Sequence, residues 1–189
     1  SFECWVKNPS DTGESYTLSI PVGAATNTGM FMSVNNGAIR LFGRAQSADA
    51  SQSALTLIDT YDDDKIHHLV GIIGFTANTM NIYVDGENIE HDLASPTFTG
   101  SFAVTTPSNP ARIGVNSGGT AARFDGKIQH AAIYNKKLTP LQIRKHYQAG
   151  IAQGFHKEVL ALNPTAYYPL NEASGDAIDW SGNGNNGTQ

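Results

Sequence analysis

The chain has 189 residues, 40% of them apolar and only 15% charged, and its 12 basic and 17 acidic residues give a formal charge of −5. That length accommodates one ordinary domain with a real core, or one domain and a fragment of another. No Lys/Arg run is present to track a phosphate backbone and no window reaches the ~18 apolar residues of a membrane span, so neither nucleic acid nor membrane insertion is expected.

Abundant Gly, Ser, Thr and Asn suit many short strands joined by tight turns, an all-β chain. The N-terminal Ser1-Phe2-Glu3-Cys4-Trp5-Val6 reads as a half-buried strand, and its start without a methionine implies a processed or excised chain. Cys4, the single cysteine, has no internal partner and reads as a buried thiol. The run Asn8-Pro9-Ser10-Asp11-Thr12-Gly13 ends this strand, and Tyr16 to Val22 is a second. Met30, Met32 and Val34 share one parity before Asn36-Gly37, and Ile39 and Leu41 resume beyond it, which predicts a hairpin. Leu55 to Ile58 is a short strand, and Asp62-Asp63-Asp64 is a solvated turn.

The stretch from His67 to Phe75 is apolar on both parities, so this strand is expected to be covered on both faces. Met80, Ile82 and Val84 alternate up to Asp85-Gly86, a second hairpin signal. Arg112-Ile113 and Lys127 to Tyr134 are further strands, separated by a Gly-rich loop at Gly118-Gly119. Thr139 before Pro140, with Leu141, Ile143, Tyr147 and Gly150, outlines the one short helix. Together these predict a two-sheet antiparallel sandwich with one short C-terminal helix.

The order of motifs resembles the laminin-G-like jelly rolls of the concanavalin A-like lectin and glucanase superfamily. The resemblance is carried by Phe2-Glu3-Cys4-Trp5-Val6-Lys7, Ile66-His67-His68-Leu69-Val70, Tyr83-Val84-Asp85-Gly86, Ile113-Gly114, Phe124-Asp125-Gly126-Lys127-Ile128 and Ile133-Tyr134-Asn135 through Leu138-Thr139. It implies a concanavalin A-like jelly roll. The block Ala166-Tyr167-Tyr168-Pro169-Leu170 through Thr188 also looks like this family, in which it comes first rather than last. The expected organisation is therefore a jelly roll over residues 1–150 lacking the family's first strand, a linker over 151–163, and a first-strand segment over 164–189.

Unpaired sheet edges template pairing with other chains, so the displaced segment needs a resolution. It completes its own sandwich, completes a neighbouring copy by strand donation through Ala166, Tyr167, Tyr168 and Leu170, or begins a second domain. A fully extended linker at ~3.3 Å per residue spans about 40 Å and permits both the first and the second route.

Asp179, Ser181 and Asn183 place side-chain oxygens at the one-three-five spacing of calcium loops, with Gly184 at the sixth position. No bidentate Glu or helix pair completes an EF-hand. The resemblance implies a structural Ca2+ here, assisted by Asp125, although Gln129-His130 stands where relatives carry an acidic pair. The competing reading is an Asn/Gly turn held by its own hydrogen bonds. Gly182-x-Gly184-x-x-Gly187 matches the dinucleotide fingerprint by accident, because no buried strand precedes it and no helix follows.

Superfamily glucanases set closely spaced carboxylates on one strand face. Glu87, Glu90 and Asp92 are the nearest approach, at the wrong spacing. None of the six histidines (His67, His68, His91, His130, His146 and His156) falls in a metal motif, and whichever of His67 and His68 points inward reads as a hydrogen-bonded core residue. Trp5, Tyr61, Tyr83, Tyr134 and Trp180 are, by number alone, the aromatic candidates for stacking on sugar rings, and most of them are expected in the core. The expected protein is non-catalytic, a binding or structural module on an extracellular or virion surface, with glycans or sister subunits as partners in a homo-oligomer or particle. Its rivals are a carbohydrate-binding accessory domain of a secreted glycosidase and a catalytic glucanase.

Overall fold

Alternation of apolar and polar residues, interrupted by turn formers, yields eleven strands among the described residues, which in this computed structural model are 1–8, 13–21, 29–44, 52–55, 60–89, 110–152 and 154–188. They are β1 (Phe2–Lys7), β2 (Glu14–Pro21), β3 (Gly29–Asn35), β4 (Ala38–Arg44), β5 (Gln52–Leu55), β6 (Ile66–Gly74), β7 (Thr79–Val84), β8 (Glu87–Asn88), β9 (Arg112–Ile113), β10 (Lys127–Ile133) and β11 (Ala166–Tyr168). Helices α1 (Pro140–Ile151) and α2 (Phe155–Ala161) lie between β10 and β11. One sheet has the order β11-β10-β1-β6-β7-β8 and the other β5-β4-β3-β2-β9, with antiparallel pairing in both. This is the expected two-sheet jelly-roll sandwich. The expected strand residues Val22 and Thr56 to Ile58, the turn residues 9–12, and Glu90, His91 and Asp92 lie outside the described residues.

Both expected hairpins form, and for the expected reason. Asn36 and Gly37 have φ of 48° and 70°, and Asp85 and Gly86 have φ of 52° and 83°, the left-handed pair that a two-residue turn requires to match strand twist. Between the sheets, Phe2, Cys4, Val6, Leu18, Met32, Val34, Ile39, Leu41, Leu69 and Ile82 form one apolar core.

Two expectations need correction. β1 is not half-buried: its outward parity is covered as well, because the helices pack Ile143, Phe155 and Val159 onto Trp5, Val70, Ile72 and Tyr83. β6, read as covered on both faces, is so covered for the same reason. The described residues also form two helices, α1 and α2, rather than one. Within the expected linker 151–163, Phe155–Ala161 form α2, because Phe155 and Val159, four residues apart, put apolar side chains on one helix face against the sheet. Seven helical residues rise only about 10 Å, so the path to β11 is short. α1 begins as expected at Thr139-Pro140, and Thr139 and Gln142 complete a reciprocal capping box.

The fit of α1 onto β1 has no slack at Gly150. A Cβ added there would lie 2.0 Å from Trp5 Cζ2, whereas one at Gly154 meets nothing nearer than 3.7 Å. Gly150→Ala is therefore expected to lower unfolding free energy by about 1–3 kcal/mol in urea titrations, and Gly154→Ala to change it by less than about 0.5 kcal/mol.

Candidate functional site

Strand parity sends Glu3 and Trp5 to the helix-covered face, and this brings a carboxylate into the protein interior. Glu3 has no exposed surface. His68 on β6 meets its Oε2 through Nε2 at 2.9 Å, His146 on α1 meets both oxygens through Nδ1 at 3.0 and 3.1 Å, and the Tyr134 hydroxyl donates to Oε1. A carboxylate only accepts, so each imidazole nitrogen facing it carries the proton. Burial pushes the Glu3 carboxyl up, but the bonds from His146 and His68 outweigh it and hold the group down at about 2. His67, the other histidine of the pair, faces the opposite way and lies between Asp85 (2.8 Å) and Asp63 (3.1 Å). His68 is thus the hydrogen-bonded core histidine expected of the pair.

A bulge in β10 builds a second cluster. β10 places three residues, Gln129 to Ala131, opposite the step from Trp5 to Cys4, and His130 takes φ 54°. Its ring turns to the helix side, where Nδ1 lies 3.0 Å from the Tyr167 hydroxyl, and His156 Nδ1 on α2 approaches the same hydroxyl at 2.7 Å. Burial, followed by the neighbouring His156, lowers His130 to about 4. Phe155 touches the rings of Trp5, His68, His130, His146 and Tyr167, and so joins the two clusters.

The expected assembly residues lie at the edge of the six-stranded sheet. Ala166, Tyr167 and Tyr168 pair with Ile133, Ala132 and Ala131 of the same chain. Ala166 and Tyr167 are buried, while Tyr168 and Leu170 pack partly buried against the inter-sheet core.

Of the expected metal ligands, Asp179, Ser181 and Asn183 are brought together and Asp125 is not. Asp179 Oδ1 accepts from the backbone N–H of Tyr167 and Ser181 (both 2.9 Å), and Oδ2 from Ser181 Oγ (2.9 Å) and Asn185 N (3.0 Å). Asn183 Nδ2 donates to the carbonyls of Pro164 and Thr165. Burial pushes the Asp179 carboxyl up, but its donors outweigh burial and hold it below the usual carboxylate range. Asp125 stands two residues before β10, at the opposite end of that strand from the Ala131–Ile133 ladder with β11. Calcium takes six to eight oxygens facing one point. In this arrangement backbone and hydroxyl donors face both oxygens of Asp179.

The outer face of the five-stranded sheet carries a different set of groups. Register aligns Tyr16, Ser33 and Arg40 in one cross-strand row and Ser19, Phe31 and Phe42 in the next. Glu14 accepts from Ser33 Oγ at 2.9 Å and from Arg40 Nη1 at 2.8 Å, and its charge, after burial, raises the pKa of the Tyr16 hydroxyl. Arg40 lies over the Phe42 ring, 5.4 Å from its centroid, and Phe31 sits buried between Phe42 and Tyr16. The Glu14 and Arg40 side chains are each 28% exposed. A ring, a guanidinium and a carboxylate thus meet here, each partly buried, beside the buried Ser19, Phe31 and Ser33 of the same rows. Sequence reasoning missed it, although Arg40 and Phe42 fall on the polar parity beside Ile39 and Leu41, and an aromatic on that parity was the available signal.

The expected stacking aromatics are mostly internal: Trp5, Tyr83 and Tyr134 are buried, and Tyr61 packs on His67. Trp180 is 45% exposed, with His156 stacked on it. Glu87 is exposed and ion-paired to Arg144.

These features define a concanavalin A-like jelly-roll sandwich with one face covered by helices. The laminin-G family model of the concanavalin A-like lectin/glucanases superfamily matches residues 1–144, and the chain belongs to that superfamily. No curated protein matches the sequence. Among solved structures it is similar to a putative carbohydrate binding protein from Bacteroides ovatus, at 14% identity and TM-score 0.63, over 100% of this chain and 51% of that one, about half its length. It is similar to the CBM40 of the Ruminococcus gnavus IT-sialidase bound to α2,6-sialyllactose, at 15% identity and TM-score 0.57, over 76% of this chain and 80% of that one. A heptameric SAP-like pentraxin from Limulus polyphemus is similar at 16% identity and TM-score 0.50, over 76% and 67%. At these identities the likeness is one of fold. Among the described residues no helix is long and apolar enough to cross a membrane.

Two measurements test this architecture. Glu3→Gln keeps the volume but removes the charge facing three donors, and is expected to cost about 3–5 kcal/mol in urea denaturation. The folded Glu3 value lies below its ordinary 4.5, so its contribution is present above pH 4.5 and is lost as pH falls from there through about 2, a loss of about 3 kcal/mol in all. The variant should show a correspondingly flatter stability profile over that window. For the Asp179 loop, melting with and without chelator should give the same midpoint, and a clear drop on chelation would restore the ion.

Proposed function

We propose that this chain is a non-catalytic glycan-recognition module, displayed on an extracellular or virion surface, which engages sugar through the outer face of its five-stranded sheet. The observation that carries this reading is the Glu14–Arg40–Ser33 cluster set beside Phe42 and Tyr16. Sugar recognition needs an apolar ring for the C–H face and fixed polar groups for the hydroxyls, and both occur here on rigid strands. Glu14 is engaged by Ser33 and Arg40 at once, which suits it to accept hydroxyl protons rather than to act as a glycosidase acid. The fold shared with the Bacteroides ovatus and Ruminococcus gnavus proteins supports the same class.

A second reading concerns assembly. β11 is an edge strand whose ladder involves only Ala131 to Ile133, so the same pairing is available to a strand from a sister copy. A homo-oligomer formed in this way should dissociate to monomer when residues 164–189 are deleted. A compact monomer at every concentration in sedimentation would exclude it.

The glycan reading is tested on an oligosaccharide array, followed by calorimetry. Phe42→Ala and Arg40→Ala should each weaken binding at least about tenfold while changing stability by no more than about 1–2 kcal/mol, since both residues are only partly buried. Undiminished binding by both variants would place the site elsewhere.

A further inference from the structure

On the basis of the glycan reading, we infer that this face selects neutral saccharides and discriminates against sugars that carry a carboxylate. A protein that captures an acidic sugar needs a guanidinium whose fork is open to a second carboxylate, because Arg recognises such groups through parallel N–H bonds. Arg40 is not open in that sense. Its Nη1 is held at 2.8 Å by Glu14, which lies on the next strand but one, and its guanidinium is pinned over Phe42. Glu14 is itself held by Ser33 Oγ at 2.9 Å, so it cannot swing aside without stripping a further hydrogen bond.

An incoming carboxylate meets two obstacles here. It has to displace an acceptor that is already tethered in place, and it has to approach within a few ångströms of the Glu14 charge on a half-buried surface, where like charges repel more strongly than in water. The pair therefore works as an element that rejects the wrong ligand as well as one that binds the right one.

A neutral sugar meets neither obstacle. Adjacent hydroxyls are donors and acceptors at once: one donates to a remaining Glu14 lone pair, and its neighbour accepts from a remaining Arg40 N–H, leaving the ion pair intact. The Phe42 ring, directly opposite Phe31 in the ladder and beneath the Arg40 guanidinium, is partly exposed beside the ion pair and offers its uncovered edge to the same sugar.

The matched probes are lactose and α2,6-sialyllactose, which differ by one acidic residue. With the full chain at physiological salt, titration calorimetry should show lactose, or the best neutral ligand on the array, bound at least tenfold more tightly than its sialylated form. Glu14→Gln opens the guanidinium and removes the repulsion, so it should raise sialyllactose affinity about tenfold or more in a salt-sensitive manner while weakening the neutral ligand. Arg40→Ala, with folding confirmed by its melting curve, should weaken lactose without creating any preference for the acidic probe. Tighter binding of sialyllactose by the native chain, or an unaltered preference in folded Glu14→Gln, overturns this inference and leaves the glycan reading standing. No saccharide bound by the folded native chain overturns both.

Discussion

A buried carboxylate is the constraint around which the helix-covered half of this protein is organised. Removing Glu3 from water costs several kcal/mol unless its oxygens are satisfied, and satisfying them takes His68 from β6, His146 from α1 and Tyr134 from just beyond β10. Those donors lie 65, 143 and 131 residues away in the chain, so the bonds exist only when the strand order and the helix docking are both correct. The apolar packing around Trp5 and Phe155 supplies the bulk of the attraction but is tolerant of geometry, whereas the carboxylate is not. Together they account for a first strand that is buried on both faces.

The consequence runs outward to the C-terminal segment. α2 is held by Phe155 among the same rings, and from α2 His156 reaches the Tyr167 hydroxyl that His130 meets from the bulge in β10. The Asp179 carboxylate then closes the loop by accepting the Tyr167 backbone N–H. Each layer takes its position from the one beneath, and the segment that resembles a family first strand is seated by side-chain chemistry as well as by its short ladder.

The other sheet divides the labour. With both helices spent on one face of the sandwich, the opposite outer face is where partly exposed rings and charges gather. A bulge between Tyr16 and Leu18 shifts the β2 register, and the rows Tyr16-Ser33-Arg40 and Ser19-Phe31-Phe42 follow from it. The buried Glu3 cluster and the Glu14–Arg40 ion pair thus lie on opposite sides of one apolar core.

Much of the fold was legible because the relevant signals are local. Asn36-Gly37 and Asp85-Gly86 encode their turns in two residues, Thr139-Pro140 encodes a helix start, and alternation in β3, β4 and β7 assigns the inner face. The buried role of Glu3, the helix within the linker, the covering of Trp5 and the pairing of Glu14 with Arg40 were decided by tertiary structure alone. Parity says that Glu3 and Trp5 share a face but not what covers it. One-three-five spacing says that Asp179, Ser181 and Asn183 converge, but not whether donors or an ion fill the centre, nor that Asp125 lies at the far end of β10. The physical reason is the same in each case: backbone propensity and turn chemistry act between neighbours in sequence, whereas the environment of a charge is set by whichever distant strands and helices the sheet order brings against it.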